Sequence, residues 1–170
     1  MGTNLQFDPA TPQVETIFSR STSGAEVIEE LIRAATISIA AALYRLANPR
    51  LVAALGEAAR RGVSIRLCLN DNDHYEENRA AQAALATSGI AYRLLQGKAG
   101  NGSKMHHKFV VLDGQTVATG SYNWTMESEE RNYENLILLR APELAIAYLR
   151  EFEALWKEGS GPPSLPASGS

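Results

Sequence analysis

The chain has 170 residues, of which 45% are hydrophobic and 21% are charged, and its formal net charge at neutral pH is -3. This balance fits one globular domain. It excludes a disordered chain and a protein whose whole surface is basic and binds nucleic acid. The single Cys68 excludes an internal disulfide framework and any multi-cysteine zinc site, and its apolar surroundings predict a buried, inert thiol.

The two ends of the chain differ in composition from its centre. Residues 1–13 are predicted to be an N-terminal extension, residues 14–158 one folded domain, and residues 159–170 a flexible tail rich in Gly, Pro and Ser. The start lacks the positive and apolar segments of a secretory signal, and no apolar run approaches the roughly 18 residues that span a bilayer. We therefore expect a cytoplasmic protein without stable membrane association.

Strands and helices alternate in the pattern of the first half. Ser23 with Glu26 three residues later is a capping box, and Asn48 before Pro49 is a second helix start. Continuous apolar runs indicate strands that are covered on both faces. The predicted elements are a strand at Val14–Ser19, a helix from Ser23 to Ala34, a strand at Thr36–Leu43, a helix from Asn48 to Gly62 and a strand at Val63–Leu69.

The second half continues with one more helix–strand pair and then changes to hairpins. The predicted elements are a helix at Glu76–Thr87, a strand at Ile90–Leu95, a loop at Gln96–Ser103, strands at Met105–Leu112 and Thr116–Gly120, a strand at Glu134–Arg140 and a helix from Pro142. This order predicts an α/β fold in which a mixed central β-sheet carries helices on both faces.

One stretch of the second half concentrates ionisable and polar side chains: MHHKFVVLDGQTVATGSYNWTMESEERNYEN. Successive side chains alternate across a strand, so His106 and Lys108 are predicted to share one face while His107 and Phe109 share the other. An imidazole and an ammonium at this spacing are placed to meet the same small anion. His107 is assigned to packing or to a local hydrogen bond.

Ser121 and Asn123 repeat this spacing at the end of the following strand. A tight turn pairs the two strands, so we expect the hydroxyl and the amide to lie beside His106 and Lys108. A cation, two neutral hydrogen-bonding groups and an imidazole suit a phosphate group. The set does not resemble a metal site, and the sequence predicts no cofactor.

These residues resemble the full signature of the phospholipase D superfamily. The matching pattern is His106-x-Lys108-x4-Asp113, then Gly120-Ser121-x-Asn123, then Asn132-x-Glu134. It occurs once, and the resemblance extends over roughly residues 15 to 157. Members with one copy are similar to small bacterial endonucleases and to cardiolipin-hydrolase-like nucleases, which work as homodimers. The resemblance implies a phospholipase D-like fold and makes residues 14–158 a catalytic domain.

The same resemblance implies a catalytic set of His106, Lys108, Ser121, Asn123, Glu134 and Asp113. Lys108, Ser121 and Asn123 would also bind the substrate phosphate. Trp124 would either line the pocket or pack in the core. Glu134 is expected to orient the His106 ring, and Asp113, a turn residue, to order its loop rather than to touch substrate. The glutamates at 127, 129 and 130 are expected to lie in a solvated loop.

Phosphodiester cleavage without a metal needs two imidazoles. One attacks phosphorus and forms a phosphohistidine, and the other protonates the leaving oxygen. His107 is predicted to face away, and His74 to lie in a loop before a helix. Because one chain then supplies one suitable His, we expect a homodimer whose two His106 rings face each other across a two-fold axis.

Three functions remain open on the sequence alone. A nuclease acting on DNA or RNA is favoured by a net-positive stretch that contains Arg45, Arg50, Arg60, Arg61 and Arg66. A phospholipase acting on cardiolipin or a similar diester ranks lower, because the sequence has no amphipathic membrane segment and no evident exposed apolar loop. A non-catalytic phosphate-binding or dimerisation module is disfavoured by the intact His106, since a binder needs cations and no nucleophile.

Overall fold

The computed structural model describes residues 13–71 and 76–161 of the chain. One sheet contains the strands β1 (Gln13–Phe18), β2 (Ser38–Leu43), β3 (Ser64–Asn70), β4 (Ala91–Gly97), β5 (Gly100–Lys104), β6 (Lys108–Leu112), β7 (Thr116–Gly120) and β8 (Asn135–Arg140). The helices are α1 (Gly24–Ala34), α2 (Pro49–Arg60), α3 (Glu76–Thr87), α4 (Met126–Glu130) and α5 (Pro142–Glu158). The predicted α/β fold is confirmed.

The strands follow one another across the sheet in the order β1-β8-β7-β6-β2-β3-β4-β5. The strands β2, β3 and β4 are parallel, and all other neighbours are antiparallel. The central strand β2 is buried on both faces, with Ile39 and Ala41 in one core and Ala40 and Ala42 in the other. Burial on both faces explains why its sequence is apolar without alternation.

Helices cover both faces of this mixed sheet. The larger core lies under α1, α2 and α3, and includes Ile28, Leu55 and Leu85. The smaller core lies under α5, where Phe152 is fully buried. Cys68 is also buried there, and burial raises the pKa of its thiol to about 12, which confirms the predicted inert cysteine.

The two predicted helix starts are confirmed by their caps. The Ser23 hydroxyl accepts a hydrogen bond from the Glu26 amide at 3.0 Å, and the Asn48 side-chain oxygen accepts one from the Arg50 amide at 3.0 Å. Each cap satisfies an amide that the first helical turn leaves without a partner, and it thereby fixes where the helix begins.

Several strand boundaries shift by one or two residues, and two regions differ more clearly from the predictions. The strand expected at Met105–Leu112 begins only at Lys108, because the Met105 amide donates to the buried side chain of Asn70 (2.8 Å) instead of to a neighbouring strand. The loop expected at Gln96–Ser103 is a hairpin of β4 and β5. Its glycines suggested a loop, but Gly97 permits a close approach, since a Cβ at this position would lie 2.6 Å from the Lys104 nitrogen.

The predicted terminal segments lie mostly outside the described residues. Gln13 already belongs to β1, and Ser160 exchanges two backbone hydrogen bonds with Leu94, so both folded boundaries extend slightly beyond the predicted domain. Within the described part of the chain, no helix has the length and apolar character to cross a bilayer.

Candidate active site

Most of the predicted site residues, though not Asp113, lie at or beside one edge of the sheet. Here the carboxyl ends of β2 and β7 meet the amino ends of β6 and β8, as the paired residues Leu43 and Lys108 show. Tyr44 directly follows β2, and its amide donates to the His107 carbonyl oxygen at 2.8 Å. Four chain segments therefore converge where the imidazole and the ammonium lie.

His106 and Lys108 are in direct contact. The Lys108 Nζ lies 3.2 Å from Nδ1 and 3.4 Å from Nε2 of the His106 ring, and it donates to the His106 carbonyl oxygen at 3.0 Å. Their predicted shared face is confirmed, although His106 precedes β6. His107 points elsewhere as predicted: its Nε2 lies 3.3 Å from Glu151, and its ring is 5.4 Å from that of Phe109. His74 lies outside the described residues.

The surroundings of the pair favour a neutral imidazole beside a cation. Burial lowers the pKa of His106, and the positive charges of Lys108, Lys104 and His107 lower it further. Burial also lowers the pKa of Lys108, which the negative charge of Glu134 partly opposes. Because the ordinary histidine pKa is already below neutral pH, a further lowering favours the unprotonated imidazole of His106.

Glu134 contacts Ser121 rather than His106. Its carboxylate accepts hydrogen bonds from the hydroxyls of Ser121 and Ser128, the latter at 2.9 Å, and from the Asn132 side-chain amide at 3.4 Å. The expected contact with the His106 ring is wrong within this chain, because β7 separates β8 from β6. The carboxylate therefore holds the hydroxyl at the end of the intervening strand.

Gly120 allows that hydroxyl to be held. A Cβ at this position would lie 2.1 Å from the Asn135 carbonyl oxygen, so only glycine permits the two strands to approach this closely. The Ser121 amide then donates to the Asn135 oxygen at 3.1 Å, and the Asn135 amide donates to the Ser121 hydroxyl at 3.1 Å. The Gly-Ser pair thus fixes both the backbone and the side chain of Ser121.

Asn123 and Trp124 have different surroundings. Asn123 is half-buried, and among the described residues its buried Oδ1 has no hydrogen-bond partner, an arrangement that a donor from a bound molecule would satisfy. Trp124 is only 2% exposed and belongs to the larger core. Its predicted role in substrate binding is therefore wrong, and the packing alternative is confirmed.

Asp113 lies at the opposite end of β6 and is not part of this cluster. Its carboxylate accepts hydrogen bonds from the amides of Thr36 (3.0 Å), Ile37 (2.8 Å) and Ser38 (2.9 Å). Burial alone would raise the pKa of Asp113, but these bonds outweigh burial and lower it. Asp113 therefore orders the turn, as expected. Because it lies at the end of β6 opposite the cluster, its inclusion in the catalytic set is wrong.

The expected solvated loop at residues 127, 129 and 130 is helical. Thr125 caps α4, and Glu129 is half-buried, accepting hydrogen bonds from the Tyr122 hydroxyl (2.7 Å) and the Ala25 amide (3.0 Å). The same helix presents Ser128 to the site carboxylate. The Thr125 capping signal was available in the sequence, but the run of glutamates suggested solvent exposure instead.

The basic stretch proposed to bind nucleic acid is largely engaged within the protein. Arg50 pairs with Glu29, Arg45 pairs with Glu127 at 2.6 Å, and Arg66 pairs with Glu153 at 2.5 Å. Arg61 donates to carbonyl oxygens at the end of α1, among them that of Ile32 at 3.0 Å. Phosphate binding by this stretch is therefore not supported, because most of its charges already have partners.

Two further groups at the site were missed in the sequence. The Tyr44 ring lies 4.4 Å from the His106 ring, and the Nζ atoms of Lys108 and Lys104 lie 5.1 Å and 5.6 Å from its centroid. No sequence pattern marks Tyr44, since only the sheet brings it to His106. Lys104 stands two residues before His106, the same spacing that links His106 and Lys108, and this signal could have identified it. Among the described residues, no three His, Cys, Asp or Glu side chains form a cluster with metal-binding geometry.

The chain is similar to several known proteins. A family model described as cardiolipin synthase, PLD-like domain, matches residues 28–156. A mitochondrial cardiolipin hydrolase of Xenopus laevis is 33% identical over 147 residues, which cover 86% of this chain but only 64% of that relative. A phospholipase D of Rickettsia bellii is 28% identical and covers 82% of this chain and 67% of its own length. The structure of Nuc, a phospholipase D family member from Salmonella typhimurium, matches with a TM-score of 0.83 at 28% identity, covering 91% of this chain and 100% of that one.

Proposed function

Because the chain belongs to the PLD-like domain family, we propose that it is a metal-independent phosphodiester hydrolase that cleaves the backbone of DNA or RNA. The observation that carries this proposal is the contact between an exposed imidazole and an ammonium, with 3.2 Å between Lys108 Nζ and His106 Nδ1. The lowered pKa of His106 supports a nucleophilic role, since only an unprotonated ring nitrogen can attack phosphorus.

In the first step, a neutral nitrogen of His106 attacks phosphorus. An N–P bond forms, the P–O bond to the leaving group breaks, and a second, protonated imidazole gives its proton to the departing oxygen. In the second step, that imidazole takes a proton from water, and the water oxygen attacks phosphorus and breaks the N–P bond. Lys108 balances the negative charge of the phosphoryl oxygens, and the side-chain NH2 group of Asn123 donates a hydrogen bond to them. The Ser121 hydroxyl, whose proton is donated to Glu134, orders the strand end beside them.

The second imidazole belongs, in this proposal, to another copy of the chain. His107 is turned towards Glu151, so it does not face the reacting phosphate. A two-fold axis at the exposed sheet edge would bring two His106 rings together, and the same residue would then act as nucleophile in one subunit and as acid in the other.

A second candidate substrate is cardiolipin or a similar lipid diester. The sequence showed no evident exposed apolar loop, but Phe18 is 60% and Tyr133 is 79% exposed, and both line a cavity of about 490 Å³ that Glu134 also borders. The exposed rings of Phe18 and Tyr133 could pack against acyl chains as well as against nucleobases. The names of the cardiolipin hydrolase relatives favour this alternative too.

One experiment separates these functions. The purified protein is incubated with single- and double-stranded DNA, with RNA, and with vesicles that contain cardiolipin, each with and without EDTA. Nucleic-acid cleavage that persists in EDTA supports the proposal, whereas cleavage of cardiolipin alone supports the second candidate. Binding without turnover of any substrate would favour the non-catalytic module.

A further inference from the structure

Lys104 is a second cation beside the proposed catalytic pair. Its Nζ lies 5.6 Å from the centroid of the Tyr44 ring, which also contacts His106 and lies 5.1 Å from Lys108 Nζ. The Tyr44 side chain is only 8% exposed, so its ring is a fixed platform for all three groups. An aromatic face attracts cations, which keeps both ammonium groups at this edge despite their mutual repulsion.

The backbone of Lys104 is held on both sides. Lys104 is the last residue of β5 and pairs with Gln96. Residue 97 must be glycine here, because a Cβ at this position would collide with the Lys104 backbone. The next amide, that of Met105, donates to the buried Asn70 side chain at 2.8 Å. Lys104 therefore projects from a rigid hairpin end rather than from a loose loop.

No carboxylate among the described residues forms an ion pair with Lys104 or Lys108. This contrasts with Arg45, Arg50 and Arg66, each of which forms an ion pair with a glutamate. In the proposed mechanism, Lys108 and His106 together already contact one reacting phosphate. The additional positive charge of Lys104 therefore suits a second anionic group close to the first.

We infer that Lys104 binds the phosphate adjacent to the scissile one on a nucleic-acid strand. This inference rests on the nucleic-acid function proposed above and adds a determinant of substrate specificity to it. A substrate with two or more phosphates in sequence engages both ammonium groups, whereas a substrate with a single phosphodiester engages Lys108 alone.

The test uses dinucleotides that differ only in one phosphate. A thymidine dinucleotide with one internal phosphodiester is compared with the same dinucleotide carrying an added 5′ or 3′ terminal phosphate. The ratio of the two kcat/KM values gives the preference for the second phosphate. Both dinucleotides are assayed at the same pH, so the protonation state of the free protein enters both kcat/KM values equally and cancels in their ratio.

We expect the unsubstituted protein to prefer one of the phosphorylated dinucleotides, and Lys104→Gln to lower that preference about tenfold, mainly through KM. Lys104→Arg should retain most of the preference. The matched control is Lys157→Gln, which removes one exposed charge at the carboxyl end of α5, outside the His106–Lys108–Tyr44 cluster, and should change neither the rates nor the ratio.

Two outcomes overturn the inference and are distinguishable. If the protein cleaves the dinucleotides but Lys104→Gln leaves the ratio unchanged, Lys104 does not bind the neighbouring phosphate. If the protein cleaves none of the dinucleotides yet hydrolyses cardiolipin, the nucleic-acid function itself is wrong.

Discussion

Replacing Glu134 by Gln tests whether this carboxylate acts by holding the Ser121 hydroxyl. Glu134 accepts hydrogen bonds from the hydroxyls of Ser121 and Ser128. A hydrogen bond to a charged group contributes about 1.5–3 kcal/mol to stability, against about 0.5–1.5 kcal/mol for a neutral one. Loss of the charge should therefore weaken the two bonds by about 2 kcal/mol in total. If Ser121 must be fixed for the transition state, kcat falls about thirtyfold.

The assay is the hydrolysis of bis(4-nitrophenyl) phosphate, which carries one phosphodiester and no terminal phosphate. Calorimetry with a non-cleavable diester measures binding separately, and we expect little change in Kd. The control is Glu130→Gln, an exposed residue of α4 that undergoes the same change of charge. Wild-type kcat in a correctly folded Glu134→Gln protein, or a loss equal to that of Glu130→Gln, would refute the role of this carboxylate.

Three further predictions concern the histidines and the assembly. His106→Ala should abolish turnover without loss of the fold. His107→Ala should retain turnover but lose about 1 kcal/mol of stability in denaturant titrations, because its contacts with Phe109 and Glu151 are removed. Loss of turnover in His107→Ala would contradict the proposed site. Sedimentation should show a dimer, and a fully active monomer would rule out the shared site. Because the pKa of His106 is lowered from 6.5 and the neutral ring is reactive, the acid limb of kcat/KM should lie below pH 6.5; an acid limb above pH 7 would exclude this assignment.

Local patterns predicted the sheet core and the main helices because they are set by short-range chemistry. Ser23 and Asn48 each bond an amide of the helix that they begin, and the apolar run of β2 follows from burial on both faces. Likewise, the His106–Lys108 contact depends on a spacing of two residues in one chain segment. Such features need no knowledge of distant parts of the chain.

The parts of the site that could not be predicted depend on strand order. Glu134 meets Ser121 because β7 lies between β6 and β8, and no spacing in the sequence states that order. Tyr44 reaches His106 from a segment about sixty residues away and is brought there only by the folded sheet. Lys104, in contrast, lies two residues before His106, and only its contact with the Tyr44 ring depends on the fold. Trp124 and Asp113 lie within the motif in sequence, yet one is in the core and the other is at the opposite sheet edge.

The central claim is that His106 forms a covalent bond to phosphorus without a metal. The most direct measurement is a rapid denaturing quench of the protein with a labelled diester in excess EDTA, followed by mass spectrometry of the peptide that contains His106. We expect an acid-labile adduct on His106 that carries the retained part of the substrate, with no adduct in His106→Asn. Turnover that requires added Mg²⁺ and leaves no adduct on His106 would contradict it.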